Sequence, residues 1–169
     1  MLKVRPAKSE EVQELARIGL ASWRKGILPL VAADVVSRIE KDNPFIPFLE
    51  EQGGNILVAE TDGALAGLGA SEHGDNHISD IWVAPEHEGK GVGSALIAAL
   101  EEQFRARGFA EATIRVSADN TRALGLYRHL GYHETWRGFD HDPILDAKLE
   151  KVSLAKAIRP YGPVPLLGQ

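Results

Sequence analysis

Hydrophobic and polar positions change period several times along the chain, and each change predicts an element. Leu2-Lys3-Val4-Arg5 alternates and stops at Pro6, which predicts a short strand. Val12, Leu15, Ala16 and Gly19 recur at helical spacing. They predict a helix capped by Ser9, favoured in its first turn by Glu10 and Glu11, and running to about Trp23. A second helix is expected over residues 32–41 and, beyond the Asn43-Pro44 interruption, a short one over 45–52. Gly53-Gly54 breaks the chain again. Residues 55–60 and 64–71 then read as strands joined by a hairpin turn at Thr61-Asp62-Gly63. Residues 77–83 read as one further strand, with Ile78, Asp80 and Trp82 on one face and Ser79, Ile81 and Val83 on the other.

After Pro85 a glycine-rich turn leads into a helix expected over 91–107. Val92, Leu96, Ile97, Leu100 and Phe104 form its apolar stripe, and Gly108 is placed to end it. Residues 111–117 alternate as a strand. Asp119 or Asn120 caps the next helix, which Gly131 stops. Residues 132–138 and 147–157 read as a last pair of strands. Hairpins come first and strand–helix alternation later, which predicts a mixed sheet with helices on both faces.

Composition narrows the class. A chain of 169 residues, 44% hydrophobic and 25% charged, suits one globular domain. That domain is expected over 1–158, with a proline-rich, flexible tail over 159–169. The absence of cysteine excludes disulfides, thiolate metal sites and a cysteine nucleophile, and fits a reducing, cytoplasmic setting. No apolar run approaches the roughly 20 residues that span a bilayer, and the first residues lack the apolar stretch of a secretory signal. A net charge of −5 argues against nonspecific nucleic-acid binding, so an anionic ligand must be held by local geometry.

The local geometry on offer is the run Val83-Ala84-Pro85-Glu86-His87-Glu88-Gly89-Lys90-Gly91-Val92-Gly93-Ser94. Three glycines at alternate positions sit between a strand and an amphipathic helix. Glycine admits positive φ and close approach of a ligand. The first amides of a helix have no partner within it, and the helix dipole is positive at that end. Such a turn either packs tightly for its own sake or cradles a phosphate, and the strand–turn–helix setting favours the cradle. Its spacing fits neither the P-loop nor the dinucleotide fingerprint.

The segment Glu88-Gly89-Lys90-Gly91-Val92-Gly93 resembles the acyl-CoA-binding motif of the GNAT superfamily of N-acetyltransferases, Gln/Arg-x-x-Gly-x-Gly/Ala. Glu88 departs from it, since the family carries Arg or Gln there. Asn120, Tyr127 and Gly131-Tyr132 are similar to the family's second signature, and the order of elements agrees from Leu2 to about Ala157. The C-terminal half looks like the ribosomal-protein N-acetyltransferases within that superfamily. The resemblance implies a mixed, mostly antiparallel central sheet of six to seven strands in an α/β chain of the α+β type. It implies acetyl-CoA as cosubstrate, bound by Ile81, Trp82, Val83, Glu88, Gly89, Lys90, Gly91, Val92, Gly93, Ser94, Asn120 and Tyr127. In the family the equivalent of Tyr127 protonates the leaving thiolate, and a backbone N–H near Val83 serves the oxyanion. No metal is expected, although His73 and His77 can be read as a pair of ligands.

Direct attack of an amine on a thioester needs help with protons. An alkyl amine of pKa roughly 10.4 is almost wholly protonated at neutral pH, while the leaving thiol titrates at about 8.5. A base, a water path or a desolvating pocket must free the amine. The ribosomal-protein enzymes carry an acidic residue on the strand where this chain has Arg115, so that base is not carried over. Asp80 is the first choice, with Glu72, His73 and His77 as alternatives. A structural role is equally open for Asp80, and a plain core or cap role for Tyr127 and Asn120.

The acceptor side is expected between residues 23 and 48 and around 137–143, with Trp23, Phe45, Trp136 and Phe139 as candidate walls and Asp140 and Asp142 as candidate attractors of a cationic amine. Three activities fit: acetylation of a small-molecule amine, acetylation of a protein or peptide N-terminus, or noncatalytic acyl-CoA sensing. A homodimer is compatible with the resemblance, although no residue demands one.

Overall fold

In the computed structural model, which describes residues 1–27 and 32–162, eight strands and five α-helices alternate in the predicted order. They are β1 (Leu2–Pro6), α1 (Val12–Ile27), α2 (Ala33–Asp42), α3 (Phe45–Gln52), β2 (Leu57–Thr61) and β3 (Ala64–Ala70). β4 (His77–Ile78), β5 (Asp80–Val83), α4 (Val92–Ala106), β6 (Glu111–Ser117), α5 (Thr121–His129), β7 (His133–Asp142) and β8 (Ala147–Ala157) follow among the described residues.

The sheet is split. One half runs β1-β2-β3-β5 and the other β4-β6-β8-β7. Every pairing is antiparallel except β4 with β6. The single strand expected over 77–83 is therefore two strands in two sheets. Ser79 is the pivot. Its N–H and Oγ both donate to the Ala70 carbonyl, at 2.9 and 3.1 Å, and its Oγ accepts the Glu72 N–H at 2.9 Å. The turn at Ser79 also shifts the face parity. Ile78 packs in the same core as Ile81 and Val83, whereas Trp82 packs in the other.

Two cores hold the halves together. α4 lays the predicted stripe, each residue at most 2% exposed, into a core with Leu57, Ile114, Val152 and Leu154. Gly67 lets it approach β3, because a Cβ there would meet Val92 at 3.0 Å, besides the Trp82 carbonyl at 2.8 Å. α1 and α3 cover the opposite face, where Leu15, Trp23, Phe45 and Leu49 close over Val58 and Leu68. Inside the first core, the Glu101 carboxylate accepts the Tyr132 hydroxyl at 2.7 Å and Lys156 Nζ at 3.0 Å.

Three boundaries differ from expectation. Ser9 does not cap α1; it begins a 3-10 turn (Ser9–Glu11), and the Glu11 carboxylate accepts the Lys8 N–H. α1 extends a turn beyond Trp23, since Arg24 and Lys25 suit the negative end of the helix. β7 continues to Asp142 because its pairing with β8 persists to Asp142 opposite Ala147. The start of the expected tail is docked: the Tyr161 N–H donates to the Arg105 carbonyl and its hydroxyl bonds Glu102. The rest, residues 163–169, lies outside the described residues.

Candidate active site

The divergence of β4 and β5 opens a cleft between the two sheets. Two adjoining cavities occupy it, and both are lined by Ser22, Gly26, Ile81, Asn120, Ala123 and Tyr127. The first extends toward α3 and the β7–β8 loop. The second extends toward the glycine turn.

That turn has the conformation its glycines require. Gly89 and Gly91 have φ of +75° and +81°, and nothing lies within 4 Å of a Cβ built on either. Gly93 serves packing instead, since its Cβ would meet Leu126 at 3.1 Å. The N–H groups from Gly89 to Ser94 donate to no backbone or side-chain acceptor among the described residues, and no side chain caps α4. A row of free amides at the positive end of a 15-residue helix, beside open space, fits a diphosphate. Glu88, Gly89, Gly91, Val92, Gly93 and Ser94 line this second cavity; Lys90 does not.

Glu88 is not a bare carboxylate there. It accepts Lys25 Nζ at 2.6 Å and Arg122 Nη1 at 2.5 Å, which brings α1, the turn and the start of α5 to one point. Both cations line the second cavity. Neither was singled out from sequence, because they lie 63 and 34 residues from Glu88. The one signal was the acid standing where Arg or Gln was expected.

Tyr127 is 6% exposed and lines both cavities. Burial pushes its phenol up to about 12, so it holds its proton throughout the neutral range. Its hydroxyl has no hydrogen-bond partner among the described residues, while its ring packs edge-on against Tyr132. Asn120 caps α5 by accepting the Ala123 N–H at 3.1 Å and reaches both cavities, so the capping and cleft-lining positions coincide.

β5 forms the free edge of its sheet. Ala84 N–H bonds the Ala66 carbonyl in the register that pairs Gly67 with Val83. Strand alternation then turns the N–H groups of Ile81 and Val83 away from β3 and toward the cleft. Trp82 lies elsewhere than expected. It lines the first cavity and not the second, stacks edge-on with Phe45 at 5.1 Å, and donates its indole N–H to Asp80 at 3.0 Å.

Asp80 lies one residue past the pivot. Burial raises its carboxyl above the ordinary value, against the opposing hydrogen bond from Trp82 and the lowering effect of the Ser79 hydroxyl, and nearby Glu72 adds to the rise. Of the four candidate bases only Glu72 and Asp80 line the first cavity. His77 instead turns Nδ1 to Thr113 at 2.8 Å, and His73 is exposed. Arg115 pairs with Asp140 at 2.6 Å and sits over the Trp136 ring. Of the candidate walls, Trp23 and Phe45 line the cavity, joined by Phe48 and Ile144. Trp136 and Phe139 do not; they are 43% and 70% exposed on the outer strand β7. Asp142 is tied to Lys151 and to the amides of Ile144 and Leu145, which stabilises the loop and leaves it no free charge for an amine.

Comparison with known proteins finds matches for the family and for the fold. Residues 20–132 match the acetyltransferase (GNAT) family. A stretch of 81 residues is 37% identical to the mycothiol acetyltransferase of Clavibacter michiganensis, covering 47% of this chain and 26% of that protein. The matched stretch is thus about a quarter of that relative's length. A crystal structure of a GCN5-related N-acetyltransferase from Rhodopseudomonas palustris superposes with a TM-score of 0.75 at 24% identity, covering 92% of this chain and 95% of that one. The PaiA N-acetyltransferase of Thermoplasma acidophilum, solved with coenzyme A, superposes with a TM-score of 0.71 at 16% identity, covering 94% and 99%. Among the described residues no helix is long and apolar enough to cross a membrane.

Proposed function

Because the chain belongs to the acetyltransferase (GNAT) family, we propose that it moves the acetyl group of acetyl-CoA to the primary amine of a small molecule. The coenzyme supplies an activated thioester. The observation that carries the reading is the convergence of free turn amides, a buried phenol and a buried carboxylate on one cleft.

Each group has a task. The amides of residues 89–94 take the diphosphate. Asp80, its carboxyl raised by burial, accepts the proton that the attacking amine must lose. The new C–N bond forms at the carbonyl carbon, whose oxygen is met by the outward N–H groups of β5. The C–S bond breaks, and Tyr127 donates its hydroxyl proton in a hydrogen bond to the departing sulfur. A phenol at about 12 holds its proton more tightly than a thiol at about 8.5. Full transfer is therefore uphill: the sulfur leaves as a thiolate held by the phenol's hydrogen bond and takes its proton from solvent, while Asp80 releases to solvent the proton it took from nitrogen, so the two protons balance and Tyr127 ends as it began.

The acceptor side supports a small amine. Trp23, Phe45, Phe48 and Trp82 wall it, the cations Arg115 and Lys151 that face it are already paired with Asp140 and Asp142, and the carboxylates of Glu72 and Asp80 also line it, Asp80 accepting the Trp82 indole N–H. A cytoplasmic location belongs to the same proposal, on the chain's lack of cysteine.

The test is release of free thiol from acetyl-CoA against a panel of arylalkylamines, polyamines and N-terminal peptides. Release with small amines carries the proposal. Release with peptides alone moves the acceptor to protein N-termini. Tight coenzyme binding with no release for any acceptor makes the protein an acyl-CoA sensor.

A further inference from the structure

The position where related motifs carry Arg or Gln holds Glu88, yet the second cavity has two cations on that carboxylate. Lys25 comes from the last turn of α1 and Arg122 from the first turn of α5. Their side chains are 54% and 62% exposed, whereas Glu88 is 18% exposed between them. The three charges sum to +1, beside the unpaired amides of the turn and within a chain of net charge −5. A diphosphate entering this cavity meets two acidic residues, Glu88 and Asp119, that repel it and one ammonium and one guanidinium group that attract it. Those two groups are flexible and partly solvated, so they can exchange one anion for another.

We propose that Lys25 and Arg122 are the cationic ligands of the coenzyme's phosphates, and that Glu88 is an internal counter-anion which the diphosphate displaces from them. The role falls to residues on α1 and α5 instead of on the turn itself. Their charge inverts the arrangement implied by the motif, so the departure at position 88 is compensated rather than lost. This rests on the coenzyme reading above. The diphosphate is favoured over the 3′-phosphate because both cations converge on a residue adjoining Gly89, next to the free amides.

The experiment is titration of the full chain with coenzyme A, read by calorimetry at two salt concentrations. Lys25→Met and Arg122→Gln each weaken binding three- to tenfold and flatten its salt dependence, because exposed charge contacts are screened. Arg122→Lys restores most of the loss. Glu88→Gln tightens binding three- to tenfold, since it removes the competing anion and keeps both cations. Dephospho-coenzyme A shows the same ratios between wild type and variants. Unchanged affinity in Arg122→Gln, or weaker binding in Glu88→Gln, overturns the assignment. Ratios that vanish with dephospho-coenzyme A overturn the choice of the diphosphate. A wild-type chain that binds no coenzyme A sinks the proposed function itself, a distinct result from variants that bind like the wild type.

Discussion

Gly91→Ala perturbs the cradle at one atom. Gly91 stands at φ +81°, ψ 9° as the residue preceding α4, and a Cβ there meets nothing within 4 Å. The added methyl is thus free of clashes, and its whole effect on stability is the left-handed backbone. An L-residue in that conformation costs about 1–2 kcal/mol. In a chain of this size each kcal/mol lowers the midpoint by about 2–4 °C, so a fall of roughly 2–8 °C is expected. The matched control is Gly125→Ala on α5, an exposed helical position with equally open space and no positive φ. There alanine gains up to about 1 kcal/mol through helix propensity, and the midpoint rises. The empty space around residue 91 is the space assigned to the diphosphate, so Gly91→Ala also weakens coenzyme A binding at least tenfold while Gly125→Ala leaves it unchanged. Thermal unfolding followed by circular dichroism, with calorimetric titration, reads both effects. A Gly91→Ala protein as stable as wild type, or one that binds coenzyme A equally well, refutes the reasoning.

Three further perturbations separate the roles of the cleft residues from those of the core. Tyr127→Phe lowers turnover about a hundredfold with coenzyme A affinity retained, as steady-state rates and titration will show; wild-type turnover removes the acid role. Asp80→Asn removes the acid limb of kcat/KM, which in the wild type lies above the ordinary carboxylate value. Because burial raises that carboxyl, the folded state binds the extra proton, and stability falls as pH rises past the unfolded value. Asp80→Asn is therefore at least as stable as wild type at pH 7, and an unchanged pH–rate profile moves the base to Glu72. Glu101→Ala strands Lys156 and the Tyr132 hydroxyl, a loss of about 3 kcal/mol or more by analogy with broken buried pairs, and lowers the unfolding midpoint without changing the KM for acetyl-CoA.

Much of the fold was legible because its signals are local. The α4 stripe, the strand over 111–117 and the helix over 45–52 each state their period within their own length, and the structure places them at those positions. The strand–turn–helix around Gly89 was legible for the same reason. The break at Ser79 was not, since alternation of Ile78, Asp80 and Trp82 continues across it and only tertiary pairing reveals two sheets. Trp136 and Phe139 misled because β7 is an edge strand, where an aromatic residue need not be buried. Asp142 and Asp140 read as free charges until the fold supplied Lys151 and Arg115. The cluster at Glu88 was invisible for a similar reason: its partners are joined by the packing of α1 and α5 around the cleft, not by spacing along the chain.

A crystal structure of the protein with coenzyme A tests the account most directly. Diphosphate oxygens within hydrogen-bond distance of the amides between Gly89 and Ser94, with the Tyr127 hydroxyl in reach of the sulfur, is the predicted result. A coenzyme seated elsewhere while those amides face only water, or a phenol pointing away from the sulfur, contradicts it.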